Sequence, residues 1–156
     1  MMDDRLFRDA MGKFATGITV VTVDYENEIM GMTVNAFMSV SLDPKLIAIS
    51  IDESASMYDI LQETKKFGVS ILTKNQKDLS MIFAKQIEED REVNFLQQDG
   101  IPVIEDSFVT LSCHVQDMIK AGDHMIFIAE VSEIVINEGE PLAYAESKYQ
   151  SIKPLD

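Results

Sequence analysis

The order of strand-like and helix-like segments is the feature that most limits the folds open to this chain. Apolar runs rich in β-branched residues predict strands, and apolar residues at helical spacing predict helices. Strands are predicted over residues 18–23, 29–40, 46–51, 67–72, 108–115, 124–136 and 142–144, and helices over residues 4–14, 54–63 and 75–84. The strands outnumber the helices and do not alternate with them, which disfavours a doubly wound parallel sheet. The order favours a mainly β fold, an antiparallel barrel with short helices at its ends.

Length and charge narrow the classes of function. With 156 residues and a hydrophobic fraction of 46%, residues 1–156 are expected to form a single globular domain. The net charge of −14 repels phosphate backbones, so no nucleic-acid partner is expected. Residues 85–94 are densely charged and predict a loop or a frayed helix.

Three features bear on the cellular compartment. The lone Cys113 excludes an intramolecular disulfide and a cysteine metal cage, which favours a reducing environment. No apolar run reaches about 18 residues, the length that a membrane-spanning helix needs. The N-terminus is acidic where a secretory signal would be basic. By elimination, we expect a cytoplasmic protein with no membrane partner.

Common catalytic and metal-binding motifs are missing from the sequence. It contains no GxGxxG, P-loop, GxSxG or HExxH pattern. His114 and His124 lie ten residues apart in strand-like sequence, with no acidic partners at a spacing typical of metal ligands. No metal site is therefore expected.

An uncharged polar pattern in residues 31–41 is the best candidate for a binding surface. Alternate residues of a strand share one face. The residues on this face are Thr33, Asn35 and Phe37, joined by Ser39 and Ser41 if the register continues. Gly31 allows a close approach to the backbone. Two interpretations fit: a wall for a flat ligand with carbonyl and amide edges, or threonines and serines that pair across a sheet.

Ser54 and Ser56 lie at the start of the second predicted helix. The free N–H groups and the dipole at a helix N-terminus favour an anion there. Serine is also a common N-cap residue. The two interpretations are compatible, because one serine can cap the helix while the other binds a phosphate.

Several segments together resemble the flavin reductase-like, FMN-binding split-barrel family, which contains the reductase components of two-component flavin monooxygenases. The matching segments are residues 7–22, 31–37, 39–44, 54–56, 75–76, 83–84 and 122–124. They occur in the family's order and extend over nearly the whole chain. The resemblance implies an antiparallel split β-barrel of Greek-key type and a homodimer with its flavin pocket at or near the interface.

The resemblance also implies roles for individual residues. The isoalloxazine ring would contact Thr33, Val34, Asn35 and Ala36, partly through the backbone. Ser39 and Ser41 would hold the ring edge or the ribityl chain, Ser54 and Ser56 the phosphate, and His124 the nicotinamide. Phe83 and Lys85 would belong to the cofactor-binding set, although surface solvation also explains Lys85. Tyr144 and Tyr149 either close over the pocket or pack in the core.

One departure from the family pattern concerns the phosphate. Met57 stands where many relatives carry a threonine, so one phosphate hydroxyl is missing. The choice between FMN and FAD therefore stays open, as does the choice between NADH and NADPH.

The function implied is hydride transfer from the nicotinamide of NADH or NADPH to FMN or FAD, with reduced flavin passing to a partner monooxygenase. One alternative is a flavoprotein that binds FMN tightly for electron transfer or flavin carriage without fast nicotinamide turnover. Another is a non-enzymatic domain whose acidic surface docks a basic partner. A pyridoxamine-phosphate oxidase would need more basic residues than this chain offers.

Overall fold

The computed structural model describes residues 2–85 and 92–156, and most of them form antiparallel strands. The helices are α1 (Asp4–Gly12), α2 (Ser56–Thr64) and α3 (Lys77–Phe83), with a 3₁₀ turn at Lys74–Gln76 before α3. The strands are β1 (Thr16–Gly17), β2 (Thr19–Tyr25), β3 (Glu28–Val34), β4 (Phe37–Leu42), β5 (Lys45–Asp52), β6 (Lys66–Ile71), β7 (Phe95–Gln98), β8 (Ile101–Ile104), β9 (Val109–Ala121), β10 (His124–Ile136), β11 (Leu142–Ala145) and β12 (Lys148–Ser151). The mainly β prediction is confirmed.

A seven-stranded sheet in the order β3-β2-β6-β9-β10-β5-β4 forms the body of the molecule. All of its neighbouring strands run antiparallel. The two edge strands, β3 and β4, are consecutive in the chain and are joined by Asn35 and Ala36 alone. So short a link forces the sheet to curl until its edges approach each other. The barrel therefore has its opening at the Asn35–Ala36 link.

The prediction of a single strand over residues 29–40 is wrong, because two strands occupy this range. The chain follows one edge of the sheet as far as Val34 and enters the opposite edge at Phe37. Barrel closure, which the local pattern does not encode, imposes this break. The connection between β9 and β10 is also shorter than predicted. Strand β9 continues beyond residue 115 to Ala121, and only Gly122 and Asp123 form the turn.

Two smaller sheets and the helices complete the barrel. The two sheets are the sheet β1-β11-β12 and the hairpin β7–β8. Of their five strands, only part of β11 was predicted from the sequence. Of the charged stretch at residues 85–94, residues 86–91 lie outside the described part of the chain. No helix within residues 2–85 and 92–156 is long and apolar enough to cross a membrane.

The main core lies inside the barrel and fixes α2 against it. Phe67 and Phe127 are fully buried, and Met57 and Leu61 of α2 pack with them. Each such side chain contributes roughly 1.5–3 kcal/mol through burial. Met57, which is 2% exposed, is therefore an apolar anchor for α2. Burial also raises the pKa of Cys113 to about 12, so its thiol stays protonated and unreactive at neutral pH.

The hairpin β7–β8 packs against the barrel at Gly68 of β6. A Cβ at this position would lie 2.2 Å from the carbonyl oxygen of Pro102 and 2.7 Å from Oγ1 of Thr22. The Thr22 hydroxyl donates a 2.5 Å hydrogen bond to the same carbonyl. Only glycine leaves room for this contact between three strands.

We therefore expect Gly68→Ala to lower the free energy of unfolding by about 3 kcal/mol, because the backbone of β8 has to move away. Urea denaturation measures the change. Gly12→Ala is the matched control, because no atom of the described residues lies within 4 Å of its added Cβ, and we expect a change within about 1 kcal/mol. Equal midpoints for the two variants would contradict the packing described here.

Candidate functional site

The Asn35–Ala36 link is held in place by backbone hydrogen bonds. The N–H of Phe37 donates to the carbonyl of Asn35 at 3.0 Å, and the N–H of Ser50 donates to the carbonyl of Ala36 at 3.1 Å. The side chains of Asn35 and Ala36 remain exposed. The link is thus a fixed stretch of backbone with a free amide side chain at the opening of the barrel.

Three neighbouring cavities share Asn35 in their linings, with volumes of about 240, 300 and 300 Å³. We call the surface that they form the Asn35 cleft. Its first wall contains Thr33, Ser80, Ala84, Tyr144 and Tyr149. Its second wall contains Ala36, Phe37, Met38, Ala48, Ile49 and Ser50. The structure therefore brings together three of the predicted flavin residues, Thr33, Asn35 and Ala36.

A chain of hydrogen bonds supports the first wall. The hydroxyl of Thr33 donates to the carbonyl of Ser80 at 2.7 Å, and Oγ of Ser80 lies 3.0 Å from the hydroxyl of Tyr149. Tyr149 packs edge-on against Tyr144, with ring centroids 5.2 Å apart. These contacts tie β3, α3 and the β11–β12 hairpin into one wall. Both tyrosines therefore line the cleft and pack at the same time.

Ser80, a buried residue on α3, was not among the predicted site residues. Ser80 is 1% exposed and lies one helical turn before Phe83 on the apolar side of α3. A polar residue among apolar neighbours at helical spacing is the signal that would have identified it.

Two predicted flavin residues belong mainly to the protein interior. The side chain of Val34 is 4% exposed, and its carbonyl accepts a 2.6 Å hydrogen bond from the Thr19 hydroxyl. Phe83 lies against β3, since a Cβ at Gly31 would be 2.7 Å from its ring, and it packs edge-on against Phe95. The close approach predicted at Gly31 is thus made by the protein's own Phe83 ring.

Three other predicted residues do not line the Asn35 cleft. Ser39 is exposed and Ser41 is half-buried, and the β4–β5 register shifts between them. The break at Asn35 and Ala36 separates both serines from the face that carries Thr33. Lys85 is exposed, in a left-handed conformation with φ of 58°, just after α3.

Ser54 and Ser56 occupy different environments before and at the start of α2. The N–H and the hydroxyl of Ser54 both donate to Oδ1 of Asp52, each at 2.8 Å. The N-cap position of α2 is Ala55, which has no side-chain hydrogen bond to the helix, so the capping prediction is wrong for both serines. The first N–H groups of α2 therefore lack a side-chain cap, and Ser56 is exposed beside them.

Asp52 connects this turn to His124. The hydrogen bonds from the N–H and the hydroxyl of Ser54 lower the pKa of Asp52, helped by attraction to His124 and Lys120. Asp52 and His124 are directly paired across strands β5 and β10. His124 is half-buried, and its Nδ1 lies 2.8 Å from Oδ1 of Asp123.

A second cleft lies beside His124. It has a volume of about 550 Å³ and is called the His124 cleft here. Its lining residues are Met2, Asp3, Asp4, Phe7, Arg8, Asp52, Asp123 and His124. Ser50 and Ile126 of the same paired strands line the Asn35 cleft, two residues before Asp52 and two after His124. Residues two apart share a face at about 7 Å spacing, so the clefts lie side by side on one face of β5 and β10.

A further cavity, of about 530 Å³, holds none of the predicted site residues. Its lining includes the carboxylates of Glu92, Glu105 and Asp106, which disfavour a phosphorylated ligand. Within residues 2–85 and 92–156, no group of three or more His, Cys, Asp or Glu side chains is placed to hold a metal ion.

Comparison with known proteins gives consistent matches. The family model described as "Flavin reductase like domain" matches residues 11–153. The NADH-dependent flavin reductase of a Rhodococcus species is 38% identical over 151 residues, which cover 95% of this chain and 86% of the relative. The NADH-dependent flavin reductase StyB of Pseudomonas fluorescens is 38% identical over an alignment of 159 residues, gaps included. The alignment covers 99% of this chain and 92% of that relative.

Solved structures agree with these matches. The flavin reductase PheA2 has 50% sequence identity and a TM-score of 0.96, with 98% of this chain and all of that chain covered (100%). The NADH:FAD oxidoreductase SgcE6 of Streptomyces globisporus, in complex with NAD and FAD fragments, has 31% identity and a TM-score of 0.90, with 99% and 98% covered. The antiparallel barrel that opens at Asn35 is thus a split barrel. The chain belongs to the flavin reductase-like domain family.

Proposed function

We propose that this chain is an NADH-dependent flavin reductase that reduces FMN and supplies it to a partner monooxygenase. The observation that carries the proposal is the adjacency of the Asn35 and His124 clefts on one face of strands β5 and β10. A flavin and a nicotinamide have to be held in contact for hydride transfer, and adjacent clefts meet that requirement. Relatives named as NADH-dependent flavin reductases support NADH as the donor.

The residues of the Asn35 cleft fit a flavin ring. Phe37 and Ile126 offer an apolar surface to its flat body, and the Asn35 amide offers both a donor and an acceptor to its polar edge. Such a combination, mostly apolar with a few polar groups, is typical of cofactor sites. Ser56 and the uncapped N–H groups of α2 suit a phosphate.

The chain's own contribution is binding and orientation. A bound flavin supplies the hydride-accepting chemistry, so no nucleophile or strong acid is required of the protein. The fixed backbone at Asn35 and Ala36 orients the ring, and the wall of Thr33 and Ser80 limits the access of water. His124, held by Asp123, is a candidate for positioning the nicotinamide.

The direct experiment follows NADH oxidation by purified protein with FMN or FAD added, and repeats it with NADPH. We expect flavin-dependent oxidation of NADH, with FMN the better flavin. Flavin binding without turnover would favour the electron-transfer or carrier alternative. Neither binding nor turnover would contradict the proposal.

Asn35→Ala tests the site within the same assay. Loss of about one hydrogen bond should weaken FMN binding about fivefold, measured by quenching of flavin fluorescence. Asn75→Ala is the matched control, because Asn75 is also exposed and lines the cavity of about 530 Å³ rather than the Asn35 cleft. Equal FMN affinities for the two variants would place the flavin elsewhere.

The two serines before and at the start of α2 differ in what they offer a phosphate. The hydroxyl hydrogen of Ser54 is already donated to Asp52, whereas Ser56 lies beside uncapped N–H groups. We therefore expect Ser56→Ala to weaken FMN binding about fivefold and Ser54→Ala to weaken it less. Riboflavin, which lacks the phosphate, is the control ligand and should bind both variants equally. A larger loss for Ser54→Ala would contradict this assignment.

A homodimer is part of the proposal, as are a single domain over residues 1–156 and a cytoplasmic location. The family match over residues 11–153 supports the single domain, and the buried, unpaired Cys113 suits a reducing compartment. For the dimer, the support is an uncovered apolar surface. Helix α1 has no buried residue within the chain, and Met11 and Phe14 are 56% and 79% exposed.

Strand β4 continues this apolar surface. Met38 and Leu42 are 59% and 80% exposed, and Met38 lines the same cavity as Phe14. A second copy of the chain would bury these exposed apolar side chains beside the Asn35 cleft. Because this surface is contiguous with the proposed flavin site, dimerisation would also limit the exposure of that site to water.

Light scattering should therefore give a dimer for the wild-type chain, and Met11→Glu combined with Leu42→Glu should shift the mass toward the monomer. Leu96→Glu is the matched control, since Leu96 is 49% exposed on the β7–β8 hairpin, away from α1 and β4. A monomeric wild type, or equal shifts for both variants, would contradict this interface.

A further inference from the structure

We propose that the His124 cleft binds the ribose and pyrophosphate part of NADH, with Arg8 as its cation, and that its carboxylates reject the 2′-phosphate of NADPH. The inference rests on the proposed function and extends it to the residues that select NADH over NADPH. It assigns a binding role to helix α1, which holds none of the site residues predicted from the sequence.

Three elements build the cleft. Helix α1 contributes Phe7 and Arg8, the end of β5 contributes Asp52, and the β9–β10 turn contributes Asp123 with His124. The volume of about 550 Å³ lies within the range of sites that bind small ligands and cofactors. An aromatic ring, a guanidinium and several carboxylates are the groups that a dinucleotide with flat rings, phosphates and hydroxyls requires.

Arg8 is the only lysine or arginine among the described residues that line this cleft. A guanidinium binds phosphate oxygens through two parallel hydrogen bonds, which a lysine cannot reproduce. The nearby Lys120 is held by Oε2 of Glu53 at 2.5 Å and by the Tyr58 hydroxyl at 3.3 Å, and it does not line the cleft. A pyrophosphate in this cleft would therefore depend on Arg8.

The carboxylates suit ribose hydroxyls. A carboxylate accepts several hydrogen bonds, so Asp52 and Asp123 can accept more in addition to those from Ser54 and His124. In Rossmann folds, an acidic side chain that accepts from the ribose 2′-OH selects NAD over NADP, and the same chemistry is available to Asp52 and Asp123. The depressed pKa of Asp52 keeps it charged at neutral pH.

The charge of the lining disfavours a further phosphate. Asp3, Asp4, Asp52 and Asp123 carry four negative charges against the single positive charge of Arg8. A 2′-phosphate would add about two more negative charges to the ligand. At separations of about 8 Å in water, each such pair of charges contributes repulsion that salt partly screens. NADH avoids this repulsion because its adenosine ribose carries an uncharged 2′-hydroxyl in place of the phosphate.

The test uses the FMN-loaded protein and two ligands without nicotinamide, ADP-ribose and its 2′-phosphate, titrated by calorimetry. Steady-state assays with NADH and NADPH supply KM and kcat for the same variants. We expect Arg8→Gln to weaken the binding of ADP-ribose about tenfold and to raise the KM for NADH, with kcat and FMN affinity unchanged. Arg5→Gln, on the same helix but outside the cleft, is the matched control.

Asp4→Asn tests the rejection of the 2′-phosphate without disturbing Asp3, which caps α1 by accepting from the N–H of Arg5. Asp4→Asn should narrow the affinity gap between ADP-ribose and its 2′-phosphate about threefold. Added salt should narrow the same gap for the wild type. Asp9→Asn makes the same charge change on α1 outside the cleft and should leave the gap unchanged.

Equal effects of Arg8→Gln and Arg5→Gln, or of Asp4→Asn and Asp9→Asn, would overturn the inference. So would NADH turnover by a wild type that binds no ADP-ribose. A wild type that binds ADP-ribose as expected but oxidises no NADH would support this inference and contradict the proposed function, so the two failures are distinguishable.

Discussion

The link of two residues between the edges of the main sheet is the constraint on which the rest of the structure depends. Seven strands laid flat would separate β3 from β4 by about 29 Å. The three backbone steps from Val34 to Phe37 reach at most about 11 Å. The sheet therefore has to curl into a barrel, and β3 and β4 face each other without pairing. The Asn35 cleft forms at this opening because sheet pairing stops there.

The curled sheet also explains why both clefts lie on the same pair of strands. Ser50 and Asp52 point to one face of β5, as Ile126 and His124 do on β10. The neighbouring elements, strand β4 and helix α1, differentiate the two positions. At Ser50 the cleft is bounded by apolar β4, and at Asp52 it is bounded by the charged start of α1. One ladder thus offers an apolar site next to a polar one, which suits a flat ring beside a nucleotide.

The sequence predicted the elements whose patterns are local and missed those imposed by closure. Residues 18–23 and 46–51 were identified as strands because β-branched and continuous apolar runs are characteristic of buried strands. The break at Asn35 was missed because alternation continues through it. The strand Ile101–Ile104 was missed because Pro102 disfavours a strand, although all four of its residues are buried. Ser80 and Arg8 were not predicted as site residues, because only tertiary contact gives them a place in a cleft.

Asp52 shows how the two ends of the site are coupled without a catalytic motif. Its carboxylate fixes Ser54 in the turn before α2, and its backbone pairs with His124. The turn where a phosphate is expected and the histidine where a nicotinamide is expected are therefore set by one residue. A chain with net charge −14 repels anions overall, so each anionic group has to be held by local N–H groups or by a single cation. We therefore expect modest affinity for both nucleotides, in keeping with the proposed release of reduced flavin.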